Sequence, residues 1–326
     1  MLQLRECGER CLFDAEPLGG DRTQSDGDGD GLVVVEQQRG HGRPGGQPVP
    51  ARDTGARVHG IAERPQLADA DEFHVVIPSL PGFGFSTPLS GTGWELARTT
   101  DAYAEIMTRL GYERFAGHGT DIGAGTTGRL AALYPERVIG THTGSDPRVL
   151  GLLGEKFPYP DGLSDDETAQ LEALRTEDVA ERGYLLMQDH RPDTIGAALT
   201  DSPVGQLAWI AEKFKTRTSG DHRTPDETVD RDQLLTNISL YWFTRSGASS
   251  AQFYYESEHS GIDLFMPSDV PSGWAVFGTH PLMRRAMDPW KAIGHWSEFT
   301  EGGHFPAMEE TELLANDIHT FFRGIS

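Results

Sequence analysis

A mostly parallel β-sheet flanked by helices, with a helical block set into it, is the α/β fold class that the sequence predicts. Three observations predict it. Between Phe115 and His142 a short apolar segment, a glycine-studded turn, a helix ended by Pro135 and a second strand follow one another. That order is a βαβ unit, and it requires a parallel pair of strands. Residues 145–265 then lose the alternation and read as mainly helical, as in "DETAQLEALRTEDVAERGYLLMQ" and "PVGQLAWIAEKFK". After them the alternation returns, with "GWAVFG" and "HWSEFT" as strands and a closing helix from Glu309 to Phe322.

Taken in order, residues 1–70 carry little hydrophobic period. "GGDRTQSDGDGDG" and "RGHGRPGGQPVPARDTGARVHG" are loop-like or disordered in composition. The exception is Leu32-Val33-Val34-Val35, a continuous apolar run that reads as a short buried strand. The run from Asp26 to Gly31 imitates the start of a calcium loop, but Gln37 stands where a bidentate glutamate belongs, so no calcium site is expected. From Phe73 the texture changes. "FHVVIPSLPGFGFS" is a strand, His74 to Ile77, entering a Pro/Gly loop, and Trp94 to Leu110 is an amphipathic helix stopped at Gly111. A helix follows from about Gly125 to Tyr134, then the strand Arg137 to His142. The expected organisation is an irregular, partly disordered region over 1–70, an α/β core over 71–144 and 266–326, and a helical cap over 145–265. A cap so placed covers the strand ends, where doubly wound sheets bind ligands.

Composition limits the function. The chain has 28 basic and 50 acidic side chains in 326 residues, a formal charge of −22. That argues against nucleic acid as a partner, because phosphate needs basic patches. The only cysteines, Cys7 and Cys11, give no disulfide framework and no four-ligand zinc site. No apolar run is long enough to span a membrane and no signal peptide opens the chain. A soluble cytoplasmic protein without a membrane partner is therefore expected, and assembly as a homo-oligomer stays open.

The chemistry is expected at "GHGTDIGAG", Gly117 to Gly125. Gly119-Thr120-Asp121-Ile122-Gly123 has the spacing of a nucleophile elbow, G-x-S-x-G, with aspartate in place of serine. Such a strand–turn–helix holds its central residue on a sharp turn above the sheet, and the N–H of the next residue, Ile122, points at an oxyanion. A helix N-cap is the other reading of Asp121, and the motif alone leaves both open. "EGGHFPAMEE" puts His304 on a glycine loop between the last strand and the final helix. A general base sits there in hydrolases whose chain order is nucleophile, acid, histidine. With 12 histidines in the chain a surface loop histidine is the competing reading, which Gly302-Gly303 directly before it disfavours.

From Phe73 to the C-terminus the chain resembles the microsomal-type epoxide hydrolase family of α/β-hydrolases. The stretches that carry the resemblance, in the same order, are "FHVVIPSLPGFGFS", "GHGTDIGAG", "TDSPVGQLAWIAEKF", "LLTNISLYWFT", "SSAQFYYE" and "GGHFPAMEE". The resemblance implies Asp121 as nucleophile, His304 as base, and Tyr184 and Tyr254 as the cap hydroxyls that hold the epoxide oxygen. Tyr255 is a neighbour and not the matched position. His41-Gly42-Arg43-Pro44 matches the family's H-G-W-P oxyanion loop, so the backbone N–H groups of Arg43 and Ile122 are the implied oxyanion donors. No cofactor and no metal are implied, and the partners are a small hydrophobic epoxide and water. Detoxification is the implied role.

A carboxylate suits this chemistry. It attacks a strained ring to give an ester, and an ester has a carbonyl that activated water can open. A serine would leave an ether. Two departures stand against the family pattern. "EQQRG" intrudes between Val35 and His41 and the usual first strands are missing, as a truncated or frame-shifted N-terminus would leave them. The acid that orients the histidine is expected after "AVFG", where the sequence reads "FGTHP" with His280; Asp288 and Glu256 are the substitutes weighed. An impaired relative that only binds ligand is the rival reading from another class. A haloalkane dehalogenase is disfavoured because Ile122 replaces a halide-holding tryptophan.

Overall fold

The computed structural model describes residues 31–35, 74–220, 224–263 and 266–325. Cys7, Cys11, the Asp26–Asp30 run and the loop His41–Pro44 with Arg43 lie outside them. Six strands make one sheet, all neighbours parallel: β1 (Gly31–Val35), β2 (His74–Val76), β3 (Phe115–Thr120), β4 (Val138–Ser145), β5 (Ser272–Phe277) and β6 (His295–Phe299). Their order across the sheet is β2-β1-β3-β4-β5-β6. The chain moves from β1 to one side and returns to the other at β3. That reversal leaves a crevice at the carboxyl ends of β1 and β3, the place where parallel sheets take ligands.

The flanking helices follow from local sequence. Helix α1 (Leu96–Leu110) buries Leu96, Thr99, Thr100, Tyr103, Ala104 and Met107, a three-and-four spacing that keeps one face on the sheet. Glu95 caps its start, and Gly111, at φ 90°, turns its N–H back to Met107 and Thr108. Helix α2 (Ile122–Leu133) begins three residues before the expected start, directly behind Asp121. Between β4 and β5 the described residues hold α3 (Asp165–Glu181), α4 (Gly183–His190), α5 (Pro192–Asp201), α6 (Pro203–Arg217), α7 (Arg231–Thr244) and α8 (Ser246–His259). Ser164 and Glu167 close a full capping box at the start of α3. The chain ends with α9 (Met283–Met287), α10 (Pro306–Glu309) and α11 (Thr311–Ile325). The predicted closing helix, Glu309 to Phe322, is α11, which begins two residues later and is preceded by the short α10. Among the described residues no helix is long and apolar enough to cross a membrane.

One apolar core joins the sheet to the helical block. Phe115, Leu130, Tyr103 and Met107 from the sheet side are continuous with Ile210, Phe214, Ile238, Tyr241 and Phe253. The loop after β2 is the wedge between them. Phe83 meets Tyr241 and Phe253 edge to face, with ring centroids 6.2 and 5.7 Å apart. Phe214 of α6 stacks on Phe305 at 4.3 Å. Burying a side chain of this size contributes about 1.5–3 kcal/mol, so these contacts fix the block over the strand ends.

Candidate active site

A single residue, Asp121, separates β3 from α2. Its φ of 51° with ψ of −121° is rare for a residue with a side chain and costs of order 1–3 kcal/mol. The turn is tight enough to need glycine beside it. A Cβ on Gly119 would lie 2.3 Å from the carbonyl carbon and oxygen of Gly123. Asp121 Oδ1 accepts the N–H of Ile122 at 2.7 Å. Helix caps usually bond the second or third helical N–H; this bond goes to the first, which leaves the carboxylate beside the turn.

His304 comes from the loop after β6, and Gly303 explains how close that loop runs to α6. A Cβ on Gly303 would stand 2.9 Å from Arg217 O and from Ser219 N. The His304 N–H donates to Arg217 O at 3.0 Å, and Glu309 accepts the N–H groups of Ser219 and Phe305 at 2.7 and 2.9 Å. The imidazole then lies between two carboxylates: Nε2 is 3.0 Å from Asp121 Oδ2, and Nδ1 is 2.8 Å from Asp146 Oδ2.

The carboxylate that meets His304 is Asp146, and not a residue at the expected position after β5. Asp146 is the first residue past β4, the strand beside β3, so its carboxylate emerges next to Asp121. Its Oδ1 accepts the Arg148 N–H at 2.8 Å, which aims Oδ2 at the histidine. His280 is half-buried and accepts the Leu282 N–H through Nδ1. Asp288 accepts the N–H groups of Ala292 and Ile293, and Glu256 that of Gly93. None of these three is hydrogen-bonded to His304: His280 and Asp288 cap their own loops, and Glu256 on α8 holds the loop before α1. Asp146 was missed: the strand expected to end at His142 runs on to Ser145, which brings the acid before Pro147 to its carboxyl end.

The charges are coupled. Burial pushes the Asp121 and Asp146 carboxyls up, but hydrogen bonds and charge from His304 outweigh it and hold both below the usual range. Burial pulls His304 down; its bonds to Asp121 and Asp146 outweigh that and raise it to about 9. At neutral pH the resting site is a carboxylate, an imidazolium and a carboxylate in line.

The helical block completes the pocket. Tyr184 on α4 and Tyr254 on α8 meet edge to face, ring centroids 6.5 Å apart at 84°. With Asp121, His304, Arg217 and Phe305 they line a cavity of about 50 Å³, room for roughly four waters. Burial raises Tyr184 to about 12 against the pull of Arg217, and it raises Tyr254 well above the usual tyrosine value. Tyr255 instead stacks on His259 at 4.2 Å. Lys213 and Arg217 both face the Tyr184 ring, at 4.6 and 5.2 Å from its centroid. The predicted Arg43 lies outside the described residues, so of the two N–H groups expected to hold an oxyanion only that of Ile122 is seen, bonded to Asp121 Oδ1. Among the described residues His142, His295 and Asp317 are the one group able to close on a metal ion. Both Asp317 oxygens are already hydrogen-bonded to those histidines, at 2.8 and 3.0 Å, and none of the three lines the cavity.

A family model described as alpha/beta hydrolase fold matches residues 41–143. A protein of Stigmatella aurantiaca, provisionally named an epoxide hydrolase, is 42% identical over 78% of this chain and 57% of its own length. Epoxide hydrolase 1 of Sus scrofa is 33% identical over 78% of this chain and 61% of its own length. The crystal structure of juvenile hormone epoxide hydrolase from the silkworm Bombyx mori superposes with a TM-score of 0.68 at 26% identity, covering 93% of this chain and 71% of that one. The chain spans about three fifths of the length of the curated relatives it matches first.

Proposed function

The chain belongs to the microsomal-type epoxide hydrolase family of the α/β-hydrolase superfamily, and from that premise we propose that it opens organic epoxides to vicinal diols through an ester on Asp121. The observation that carries the proposal is the alignment of Asp121, His304 and Asp146 beneath two tyrosines of the helical block. Residues 145–265 act in it as the cap.

Oδ2 of Asp121 attacks a ring carbon, while Oδ1 stays on the Ile122 N–H and becomes the ester carbonyl oxygen. Tyr184 and Tyr254 hold the epoxide oxygen, and one of them gives it a proton as the C–O bond breaks. The charge leaves Asp121 in this step. The tyrosinate recovers its proton from the imidazolium, and His304, facing a neutral ester, is now the free base. It takes a proton from water as that water attacks the ester carbonyl. Asp146 holds the ring tautomer and balances the charge that returns to His304. The Ile122 N–H, with the Arg43 N–H as its proposed partner, holds the oxyanion. As the intermediate collapses the C–O bond to the substrate breaks, the leaving oxygen takes the proton of the added hydroxyl, and the diol departs with Asp121 restored as a carboxylate.

The impaired, ligand-binding reading rested on the irregular N-terminal region and on a missing acid. Asp146 supplies a candidate for the acid, and the N-terminal ground lies mostly outside the described residues. The dehalogenase reading gains nothing from two tyrosines in the pocket. Detoxification in the cytoplasm belongs to the same proposal and rests on the chemistry alone. One turnover of styrene oxide in heavy-oxygen water tests the mechanism. Label is expected in the Asp121 carboxylate before it appears in diol. Label going straight into the diol, or no diol from a panel of mono- and disubstituted epoxides, overturns it.

A further inference from the structure

The cavity contains a charge to which the proposed ring opening assigns no step. Arg217 ends α6 and only 9% of it is exposed. Its side chain lines the cavity with Asp121, Tyr184, Tyr254 and His304. Arginines at helix ends usually reach outward, where the dipole and water both favour them. This one is turned in. Among the described residues no carboxylate lies within ion-pair distance of its guanidinium, and its Nε is enclosed without a hydrogen-bond partner. Lys213, one turn earlier and as deeply buried, is different: its Nζ pairs with Glu212 at 3.2 Å and Glu181 at 3.8 Å.

Burial disfavours the Arg217 charge, and Tyr184, Asp121, Asp146 and Asp178 outweigh it from a distance. None of them pairs with its N–H fork, and the enclosed Nε–H is costly until something bonds it. The pocket is partly open, so that something is water while the pocket is empty and the ligand once it is filled. A guanidinium offers a flat fork of N–H donors whose natural complement is a carboxylate, bound through two parallel hydrogen bonds. A neutral, wholly apolar epoxide would leave Arg217 unpaired in the bound state. We propose that Arg217 seats a carboxylate carried by the substrate, so that the epoxides opened best are small epoxy acids. The proposal rests on the epoxide-opening reading above. The formal charge of −22 does not steer such anions in, and salt screens it beyond about 8–10 Å. The selectivity is therefore one of contact within the pocket.

The test uses matched pairs: oxirane carboxylates and their carboxamides, with zero, one or two methylene groups between ring and carbonyl. The ratio of kcat/KM, acid over amide, is compared in wild type, Arg217→Lys and Arg217→Met. For at least one chain length wild type should favour the acid, and Arg217→Met should lower the ratio by about 30-fold or more. Lysine, with charge but no fork, should fall between. Equal losses on acid and amide at every length would overturn the proposal, since Arg217 would then serve the reaction and not the substrate. So would a wild type that favours the amide throughout. Calorimetry with cyclopropanecarboxylate and cyclopropanecarboxamide, which cannot be opened, separates the two readings. Acid-selective binding that disappears in Arg217→Met supports the carboxylate seat even if no epoxide turns over. Turnover of epoxides with no acid preference in either assay removes the seat and leaves the epoxide reading standing.

Discussion

Asp146 Oδ2 lies 2.8 Å from His304 Nδ1, although 158 residues of sequence separate the two. The sheet makes them neighbours: β4 lies beside β3, and the loop after β6 folds back over both. In a hydrolase triad, changing the orienting aspartate to its amide cost roughly 10⁴-fold in turnover, because the histidine was left in the wrong tautomer. Asp146→Asn should therefore slow ester hydrolysis by about three to four powers of ten while ester formation continues. Quenched-flow assays should show a burst of ester followed by almost no diol. His280→Asp, at a residue bonded to Leu282 and not to His304, should leave both steps within about twofold. A silent Asp146→Asn would remove this residue from the reaction.

Much of this site was legible, and the rest was hidden for physical reasons. A strand enclosed in a parallel sheet needs no polar alternation, so Leu32–Val35 stood out as β1 even in an otherwise uninformative region. Gly119 and Gly123 marked a place where strand and helix approach closely. The acid was obscured because an aspartate after a strand and before a proline also reads as a turn former, and Asp146 is one: it caps the segment Pro147–Leu152. Arg217 was obscured because a cation in the last turn of a helix is the ordinary solvated pattern. Only the packing of Gly303 against Arg217 and Ser219 reveals that this helix end faces inward.

His304 should also make stability pH-dependent. Its folded value, about 9, lies above the ordinary histidine value of about 6.5. The folded state thus binds the proton more tightly than the unfolded state does. The resulting stability is complete below about pH 6.5 and is lost as pH rises through 9, on the order of 3 kcal/mol in all. Urea denaturation at pH 6, 7.5 and 9 should show the decline, and Asp146→Asn should flatten it. A wild-type profile that is level across this window would contradict the charge arrangement.

In the proposed reaction the tyrosines act before the histidine does. Tyr184→Phe and Tyr254→Phe each remove one hydroxyl from the epoxide oxygen and keep the edge-to-face pair. A positioned general acid contributes roughly 10²–10⁴-fold, so the double change should lower the rate of ester formation by at least about 100-fold. Each single change should cost less, because the other hydroxyl remains. Hydrolysis of an ester already formed should be unaffected. Single-turnover trapping of the ester measures this, and normal ester formation in the double variant would exclude both as donors.

Two glycines test how the cap region is held to the base. Gly303 has no room for a methyl group, since Arg217 O, Ser219 N and Thr218 C surround the site at 2.9–3.1 Å. These are backbone atoms and cannot swing aside as a side chain would. Gly303→Ala must push α6 from the His304 loop, stretching the 3.0 Å bond from His304 N to Arg217 O. A loss of about 2 kcal/mol or more is expected, in line with overpacking of other close contacts. Ester hydrolysis should slow as the imidazole shifts. Gly128, inside α2, is the opposite case: its added Cβ would meet nothing within 4 Å. Gly128→Ala should stabilise the protein by up to about 1 kcal/mol through helix propensity alone, with no change in either chemical step. Thermal melts and the two single-turnover rates distinguish these outcomes. A Gly303→Ala protein with normal stability and normal ester hydrolysis would show that the cap contact does not position the base.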